Sequence, residues 1–190
     1  MNYNDVNRWM KKNKPEVLII AAAKVGGIEA NRSKPTDFLY KNVQIQNNLI
    51  KSAYDIGVKR LLFLGSSCIY PKFAKQPILE EYLLTGSLEE TNESYAIAKI
   101  CGIQFCKSLR TEKNFDAICL MPTNLYGPGD NYHPTYSHVM PSLIRKFLEA
   151  SSNNLKTVKC WGTGSPLREF LYVDDLAESC LFSLENWDPK

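Results

Sequence analysis

The chain has 190 residues, of which 44% are hydrophobic and 23% charged, so it can bury a core and has an ordinary globular composition. Its net charge of +3 comes from lysines and arginines that are scattered rather than clustered, which argues against a nucleic-acid partner. No apolar stretch approaches roughly twenty residues, and the polar N-terminal segment lacks the apolar core of a signal peptide. We therefore expect no membrane span and a cytoplasmic location.

Strands and helices alternate along the chain. We predict strands at residues 17–22, 60–64, 117–121 and 157–161, and helices at residues 36–56, 94–112, 139–150 and 174–184. Gly57 is expected to end the first of these helices, and Ser94 to cap the second. The order predicts right-handed crossovers and an α/β fold with a doubly wound parallel sheet, as one domain over residues 1–190.

Two further expectations concern burial and mobility. In the helix after Ser94, four side chains are expected to point inward: Ile97, Cys101, Ile103 and Phe105. The loop at residues 127–137 is rich in Gly and Pro and is the segment expected to be most mobile.

The six cysteines show neither a Cys-x-x-Cys pair nor a Cys/His cluster, so we expect no disulfide framework and no metal site. Five of them are predicted to be buried free thiols: Cys101, Cys106, Cys119, Cys160 and Cys180. Cys68 is the exception, because it lies in the loop after the strand at residues 60–64, together with Ser66.

That strand-end loop and the helix that follows it carry the first candidate chemistry. Ligands of open α/β sheets bind beyond the carboxyl ends of the strands, where Ser66 and Cys68 are predicted to lie. Tyr95 and Lys99 are four residues apart on a predicted helix and so share a face. A lysine ammonium beside a phenol would lower its pKa, and a serine hydroxyl could hold a carbonyl oxygen. The set suits reversible reduction of a carbonyl group.

Each of these features also has a plainer interpretation. A Tyr-x-x-x-Lys match arises easily by chance, so Tyr95 could be a helix-start aromatic and Lys99 a solvated charge. His138, just before a predicted helix, could donate or accept a proton near neutral pH, or could simply cap the helix. His133 is expected to have no catalytic role. The run from Pro122 to Asn124 could be a plain strand terminator.

Six stretches of the sequence together resemble a known family. They read AAAKVGGI at 21–28, GSSCIYPK at 65–72, YAIAK at 95–99, MPTNLYGP at 121–128, SHVMP at 137–141 and WGTGSPLREF at 161–170. In order and content they resemble the extended short-chain dehydrogenase/reductase family over nearly the whole chain. Within it they are most similar to the NADPH-dependent 3,5-epimerase/4-reductases of GDP-4-keto-6-deoxymannose. The resemblance implies a Rossmann-type NAD(P)-binding fold.

The same resemblance marks what the chain lacks. The family opens with a Gly-rich phosphate loop of the G-x-x-G-x-x-G type, and no such spacing occurs in these residues. Residues 1–14 resemble the helix before the family's fourth strand, and the smaller C-terminal lobe is mostly absent. The chain is therefore expected to be a fragment with an incomplete cofactor site. A homodimer, or a companion chain supplying the missing segments, is the expected assembly.

Site roles follow from the resemblance residue by residue. The implied catalytic residues are Ser66, Cys68, Tyr95, Lys99 and His138, with Cys68 and His138 as the epimerisation acid/base pair. The implied NADP(H) contacts are Gly65, Ser66, Ser67, Tyr95, Lys99, Pro122, Thr123, Asn124, Leu125 and His138. The implied contacts of the GDP-sugar are Lys146, Trp161 and Arg168, of which the two cations could equally form surface ion pairs and Trp161 a core contact.

Three functions remain open from the sequence. The first is the epimerase/reductase just described, acting at C3, C5 and C4 of the sugar. The second is a different nucleotide-sugar epimerase or dehydratase, which would use Tyr95 and Lys99 without needing Cys68 and His138. The third is a non-catalytic module that binds another chain.

Overall fold

A parallel sheet of three strands forms the centre of the fold. The computed structural model describes residues 2–187, and its central strands are β1 (Val17–Ile20), β2 (Arg60–Leu64) and β3 (Ala117–Leu120), in that spatial order. The register pairs Val17 with Arg60, and Leu61 with Ala117. Two of the predicted strands are slightly shorter than expected, since the ladder ends at Ile20 and Leu120 and the chain then turns into loops.

Helices connect these strands. They are α1 (Tyr3–Asn13), α2 (Ile28–Ser33), α3 (Pro35–Ile56), α4 (Glu93–Lys113), α5 (Val139–Ser152) and α6 (Val173–Asn186), with short 3-10 helices at Ser67–Ile69 and Glu80–Tyr82. Gly57 ends α3 as predicted, with a φ of 77° that glycine adopts without the strain a Cβ would bring. No helix among residues 2–187 is both long and apolar enough to cross a membrane.

Side chains of β2 point alternately to the two faces of the sheet, and helices pack against both faces. Leu61 and Phe63 belong to a core that includes Ile50 of α3 and Cys106 of α4. Leu62, which points to the opposite face, packs with Leu176 and Cys180 of α6 in a second cluster. Because successive side chains of a strand point to opposite faces, one apolar run supplies both cores. The predicted doubly wound, Rossmann-type α/β fold is confirmed.

The prediction of a strand at residues 157–161 is wrong, since that segment lies outside any strand. The chain pairs instead at β4 (Asn124–Tyr126) and β5 (Phe170–Tyr172), which form a separate parallel ladder of two strands. Each has three residues, too short to show a repeating pattern. The predicted cap of α4 is also wrong, because Asn92, not Ser94, holds the cap position and makes no side-chain cap bond.

The buried face of α4 differs from the predicted one. Ile97 and Cys101 are exposed, whereas Ile103 and Phe105 do pack against the first core. The buried face consists mainly of small side chains: Ala96, Ala98, Lys99, Gly102, Cys106 and Leu109. Cys160 is exposed as well, so the expectation of buried thiols is wrong for it and for Cys101; all six cysteines are free thiols.

Candidate active site

The loop that follows β2 fixes the positions of Ser66 and Cys68 relative to each other. Gly65 donates its N–H to the carbonyl of Leu120, at 2.8 Å, and continues the alignment of β2 with β3. Ser66 then caps the 3-10 helix Ser67–Ile69, and its Oγ accepts the N–H of Cys68 at 3.4 Å. Ser67 donates its N–H to the carbonyl of Pro122, at 3.0 Å. Two strand ends are thereby tied together at the carboxyl edge of the sheet.

Lys99 approaches the same loop from α4. Its side chain is 3% exposed, and Nζ donates to the carbonyl of Leu64, the last residue of β2, at 2.7 Å. The same nitrogen lies 4.8 Å from the ring centroid of Phe63 and 5.8 Å from that of Tyr95. A buried ammonium needs such partners, because an isolated charge in an apolar interior is strongly unfavourable.

Ser66 joins these groups into one cluster. Its Oγ accepts the backbone N–H of Cys68, and the hydroxyl lies close enough to the Cys68 thiol and the Tyr95 phenol to lower the pKa of both, while the Lys99 charge acts on the thiol. Four of the five predicted catalytic residues therefore lie together at the carboxyl end of β2: Ser66, Cys68, Tyr95 and Lys99. We refer to them as the Ser66 cluster.

Burial sets the protonation states in the Ser66 cluster. It raises the pKa of the Tyr95 phenol well above its usual range, with a further increase from Cys68 and a partial offset from Ser66. It also raises the pKa of the Cys68 thiol, while Ser66 and the Lys99 charge counteract part of that effect. The pKa of Lys99 falls to about 8, again because of burial. At neutral pH the cluster therefore holds a phenol, a thiol and a largely protonated amine.

This result corrects the expectation that Lys99 lowers the pKa of Tyr95. Desolvation dominates for the phenol, and the ammonium is bonded to the Leu64 carbonyl. At neutral pH the phenol therefore carries the proton that carbonyl reduction has to deliver to the oxygen.

His138 lies at the end of a different loop from the one that carries Ser66 and Cys68. It occupies the cap position of α5 without a side-chain cap bond, and its carbonyl accepts the N–H of Ser142 at 3.0 Å. The helix-capping role that the sequence left open for its ring is therefore not used. His133, which was expected to have no catalytic role, accepts the N–H groups of Thr135 and Tyr136 at Nδ1, at 3.1 and 3.3 Å.

Residues after β3 are engaged with the second ladder. The side chains of Thr123 and Asn124 both donate to the carbonyl of Glu169, at 2.9 and 3.0 Å. Leu125 packs at the second core. These contacts hold β5 beside the strand end where a nicotinamide contact was predicted.

The predicted substrate residues divide into two groups. Lys146 of α5 donates to the carbonyl of Lys159 at 3.3 Å, and its Nζ lies 4.9 Å from the ring centroid of Trp161. Trp161 is 71% exposed, so it is an accessible surface rather than a core aromatic. The exposed Arg168 donates to the carbonyl of its neighbour Leu167, at 2.8 Å. The structure thus brings Lys146 and Trp161 together, whereas the hydrogen bond of Arg168 is to its own neighbour in the chain.

Two buried asparagines were not predicted, Asn31 and Asn42, which are 7% and 2% exposed. Both bond to backbone groups of the loop after β1. A polar residue at an inward position of an amphipathic helix was the available signal, since buried amides are kept where they have partners.

Comparison with known proteins places this geometry in a family. The model of the "NAD dependent epimerase/dehydratase family" matches residues 1–190. The chain belongs to this family. Within it the chain is 61% identical over 183 residues to GDP-L-fucose synthase 1 of Arabidopsis thaliana, and 52% identical over 180 residues to GDP-L-fucose synthase of Escherichia coli K12. The resemblance inferred from the six sequence stretches is confirmed.

Solved structures of family members agree with the fold. A GDP-L-fucose synthetase from Naegleria fowleri bound to NADP matches 96% of this chain with a TM-score of 0.83 and 31% identity. A GDP-mannoheptose C4 reductase from Campylobacter jejuni with NADP bound matches 98% of it with a TM-score of 0.89 and 38% identity.

Coverage of these family members is partial. The matches take in 96% of this chain but 57% of the Arabidopsis synthase, and 95% of this chain but 56% of the Escherichia coli synthase. In the Naegleria structure they take in 60% of the solved chain. The chain thus spans somewhat more than half the length of the relatives it matches.

Proposed function

We propose that this chain carries the catalytic groups of an epimerase/reductase that converts GDP-4-keto-6-deoxy-D-mannose to GDP-L-fucose with NADP(H). The observation that supports this proposal most directly is the Ser66 cluster, in which a half-buried thiol, phenol and hydroxyl lie with a buried ammonium at the carboxyl edge of a Rossmann-type sheet. Sequence identities of 61% and 52% to two GDP-L-fucose synthases support the same substrate.

Epimerisation requires two positioned proton carriers. The hydrogens at C3 and C5 lie next to the C4 carbonyl, so removal of either leaves an enolate. Inversion needs proton loss on one face of the sugar and delivery on the other, and Cys68 and His138 are the proposed pair. General acid–base help of this kind contributes roughly 10²–10⁴-fold. The hydroxyls of Ser66 and Tyr95 would hold the C4 oxygen and stabilise the enolate, away from bulk water.

Reduction at C4 uses the same carbonyl site. NADP(H), when bound, would supply the hydride for C4, and the Tyr95 phenol would give its proton to the C4 oxygen, so that the carbonyl becomes a hydroxyl. Burial keeps the Tyr95 phenol protonated at neutral pH, so the proton is present, and the oxyanion that develops at C4 is the stronger base that takes it.

The buried amine of Lys99 fits a contact with the cofactor. An ammonium has three N–H donors, and the Leu64 carbonyl accepts from one of them. The remaining donors suit the hydroxyls of a ribose placed at the strand ends, beside Gly65 and Ser67. Residues 122–125 and His138 complete the proposed nicotinamide side.

For the GDP-sugar, the exposed indole of Trp161 with Lys146 above it offers a stacking surface and a charge, and Arg168 offers a contact for the diphosphate. A homodimer or a companion chain, and a cytoplasmic location, stay predictions.

Deuterium exchange tests the proposal. The chain is incubated with GDP-4-keto-6-deoxymannose in D₂O without cofactor, and NMR follows deuterium entering C3 and C5. We expect exchange that falls roughly 10²–10⁴-fold with Cys68→Ser or His138→Gln. Cys101→Ser is the matched control, because Cys101 is an exposed thiol on α4.

Each of the two other functions predicts a different result. Undiminished exchange in both Cys68→Ser and His138→Gln would favour another nucleotide-sugar epimerase or dehydratase. A folded chain that binds neither GDP-sugar nor NADP(H), and purifies with a stable companion protein, would favour the non-catalytic module.

A further inference from the structure

The loop after β1, residues 21–27, is held in place by two buried amides. The side chain of Asn42 accepts the N–H of Lys24 at 2.7 Å and donates to its carbonyl at 3.0 Å. Asn31 donates to the carbonyls of Gly26 and Gly27, at 2.7 and 3.1 Å. Because both amides belong to helices, this loop, which we call the β1 loop, has a backbone fixed by α2 and α3.

The segment before His138 lies directly on the β1 loop. Gly27 donates its N–H to the carbonyl of Tyr136, at 3.4 Å. The carbonyl oxygen of Ser137 lies 2.5 Å from the position that a Cβ on Gly27 would take, far inside van der Waals contact. Glycine is therefore required at this position by close backbone approach rather than by a turn.

Side chains strengthen the same contact. Lys34, between α2 and α3, donates to the Tyr136 hydroxyl at 3.3 Å, and its Nζ lies 5.3 Å from the ring centroid. Within the segment, the ring of His133 lies against that of Tyr136, with centroids 4.7 Å apart. Ser137 donates its N–H to the carbonyl of His133 at 3.2 Å, so residues 133–137 form a self-supporting turn.

We propose that Gly27 is a positioning residue for His138. The turn at 133–137 is seated on Gly27 by backbone contact, and the next residue along the chain is His138 at the start of α5. The catalytic consequence rests on the acid/base role proposed above for His138. A Cβ at position 27 would push the Ser137 carbonyl outward and carry the imidazole with it, and a displacement of about 1 Å can lower a rate roughly 100-fold.

Histidine NMR tests the positioning directly. The chain contains two histidines, so selective ¹³C-histidine labelling gives two sets of ring signals, assigned with His138→Gln. We expect Gly27→Ala to shift and broaden the His138 signal. Gly86→Ala is the matched control, because a Cβ there meets the Pro71 side chain at 3.2 Å rather than any atom of residues 133–137. Lys34→Met, which leaves the backbone contact intact, should move the same signal less, and it serves if Gly27→Ala does not fold.

A split between half-reactions tests the functional consequence. Gly27→Ala should lower deuterium exchange at C3 and C5 by roughly 10–100-fold. NADPH oxidation with an already epimerised 4-keto sugar should fall by a clearly smaller factor, because His138 carries a proton in the exchange reaction but only lines the proposed nicotinamide side in the reduction. A loss shared equally by both half-reactions would indicate general damage and overturn the proposal. So would a His138 signal that neither Gly27→Ala nor Lys34→Met displaces. If the wild-type chain shows no exchange, the proposed function fails, whereas the histidine spectra still decide the positioning.

Discussion

Lys99 shows how one residue can serve a site at the expense of stability. Burial lowers its pKa to about 8 from 10.5, so the unfolded chain binds the proton more tightly than the folded chain. Below about pH 8 the buried charge therefore costs stability, by roughly 3 kcal/mol, and this cost disappears as the pH rises from about 8 past 10.5.

Replacement of Lys99 by Met should accordingly stabilise the chain at pH 7. We expect a gain of about 1–2 kcal/mol in the free energy of unfolding, since the Leu64 carbonyl loses a hydrogen-bond donor and offsets part of the gain. The gain should fall as the pH rises past 8 and reverse above about pH 10, where the charge cost is gone and only the lost hydrogen bond to Leu64 remains. Urea unfolding at pH 7 and pH 10 measures it, with the exposed Lys107→Met on the same helix as control. A destabilised Lys99→Met at pH 7 would contradict the argument.

Cys68 should react slowly despite its place in the site. Burial raises the pKa of its thiol, and alkylation requires the thiolate. We expect iodoacetamide at pH 7.5 to label Cys68 at least about tenfold more slowly than the exposed Cys101 and Cys160, with the difference narrowing at higher pH. Lys99→Met should slow Cys68 further, because the Lys99 charge lowers the pKa of this thiol. Peptide mass spectrometry follows each site; faster labelling in Lys99→Met would refute the assigned charge effect.

At the scale of elements, close packing of α4 explains why its inward face was predicted incorrectly. A Cβ on Gly102 would lie 2.7 Å from Cζ of Phe63 in β2 and 2.9 Å from Cδ of Gln46 in α3. Gln46 in turn donates to the carbonyl of Ala98 at 2.5 Å. Small residues let the helix approach this closely, whereas a prediction based on hydrophobicity favours the larger Ile97 and Cys101.

Gly102→Ala should therefore destabilise the chain although alanine is the better helix former. Overpacking costs about 1–3 kcal/mol and the helix preference returns about 1 kcal/mol, so we expect a net loss of up to roughly 2 kcal/mol. Thermal or urea unfolding measures it. Gln104→Ala, at an exposed position of α4, should change stability by less than about 0.5 kcal/mol. Equal stability of the two variants would mean that Phe63 of β2 and Gln46 of α3 shift at little energetic cost to make room for the added Cβ.

Prediction from sequence succeeded for long periodic elements and for motifs that lie at their ends. The strand Arg60–Leu64 and the helices α3 and α4 were found because apolar runs and end signals extend over many residues. Ser66 and Lys99 were correctly predicted to lie near each other, because local periodicity reveals both the end of a strand and the face of a helix. The contact between Gly27 and Ser137 joins residues more than a hundred positions apart, and neither residue carries a pattern that reveals it.

In the molecule as a whole, one acidic side chain links three elements. Asp116, just before β3, accepts from Arg60 of β2 at 2.5 Å and lies 3.6 Å from Arg110 of α4. Arg60 also donates to the carbonyl of Leu184 in α6. The side chains of Arg60 and Asp116 are 20% and 15% exposed, so water screens this ion pair only in part. Arg60 and Asp116 together thus connect α4 on one face of the sheet with α6 on the other.

Loss of that charge should destabilise the whole fold, because two guanidinium groups would face each other without a counter-charge. We expect Asp116→Asn to lower the free energy of unfolding by about 2 kcal/mol, below the 3–5 kcal/mol typical of a fully buried pair. The control is Glu16→Gln, whose ion pair with Lys59 is 74% and 72% exposed and should contribute less than about 0.5 kcal/mol. Cooperative unfolding in urea, followed by circular dichroism, compares the two. If both variants lose equally little stability, the backbone carbonyls of Leu184 and Ala117 suffice to hold Arg60 and Arg110, and the Asp116 carboxylate contributes little.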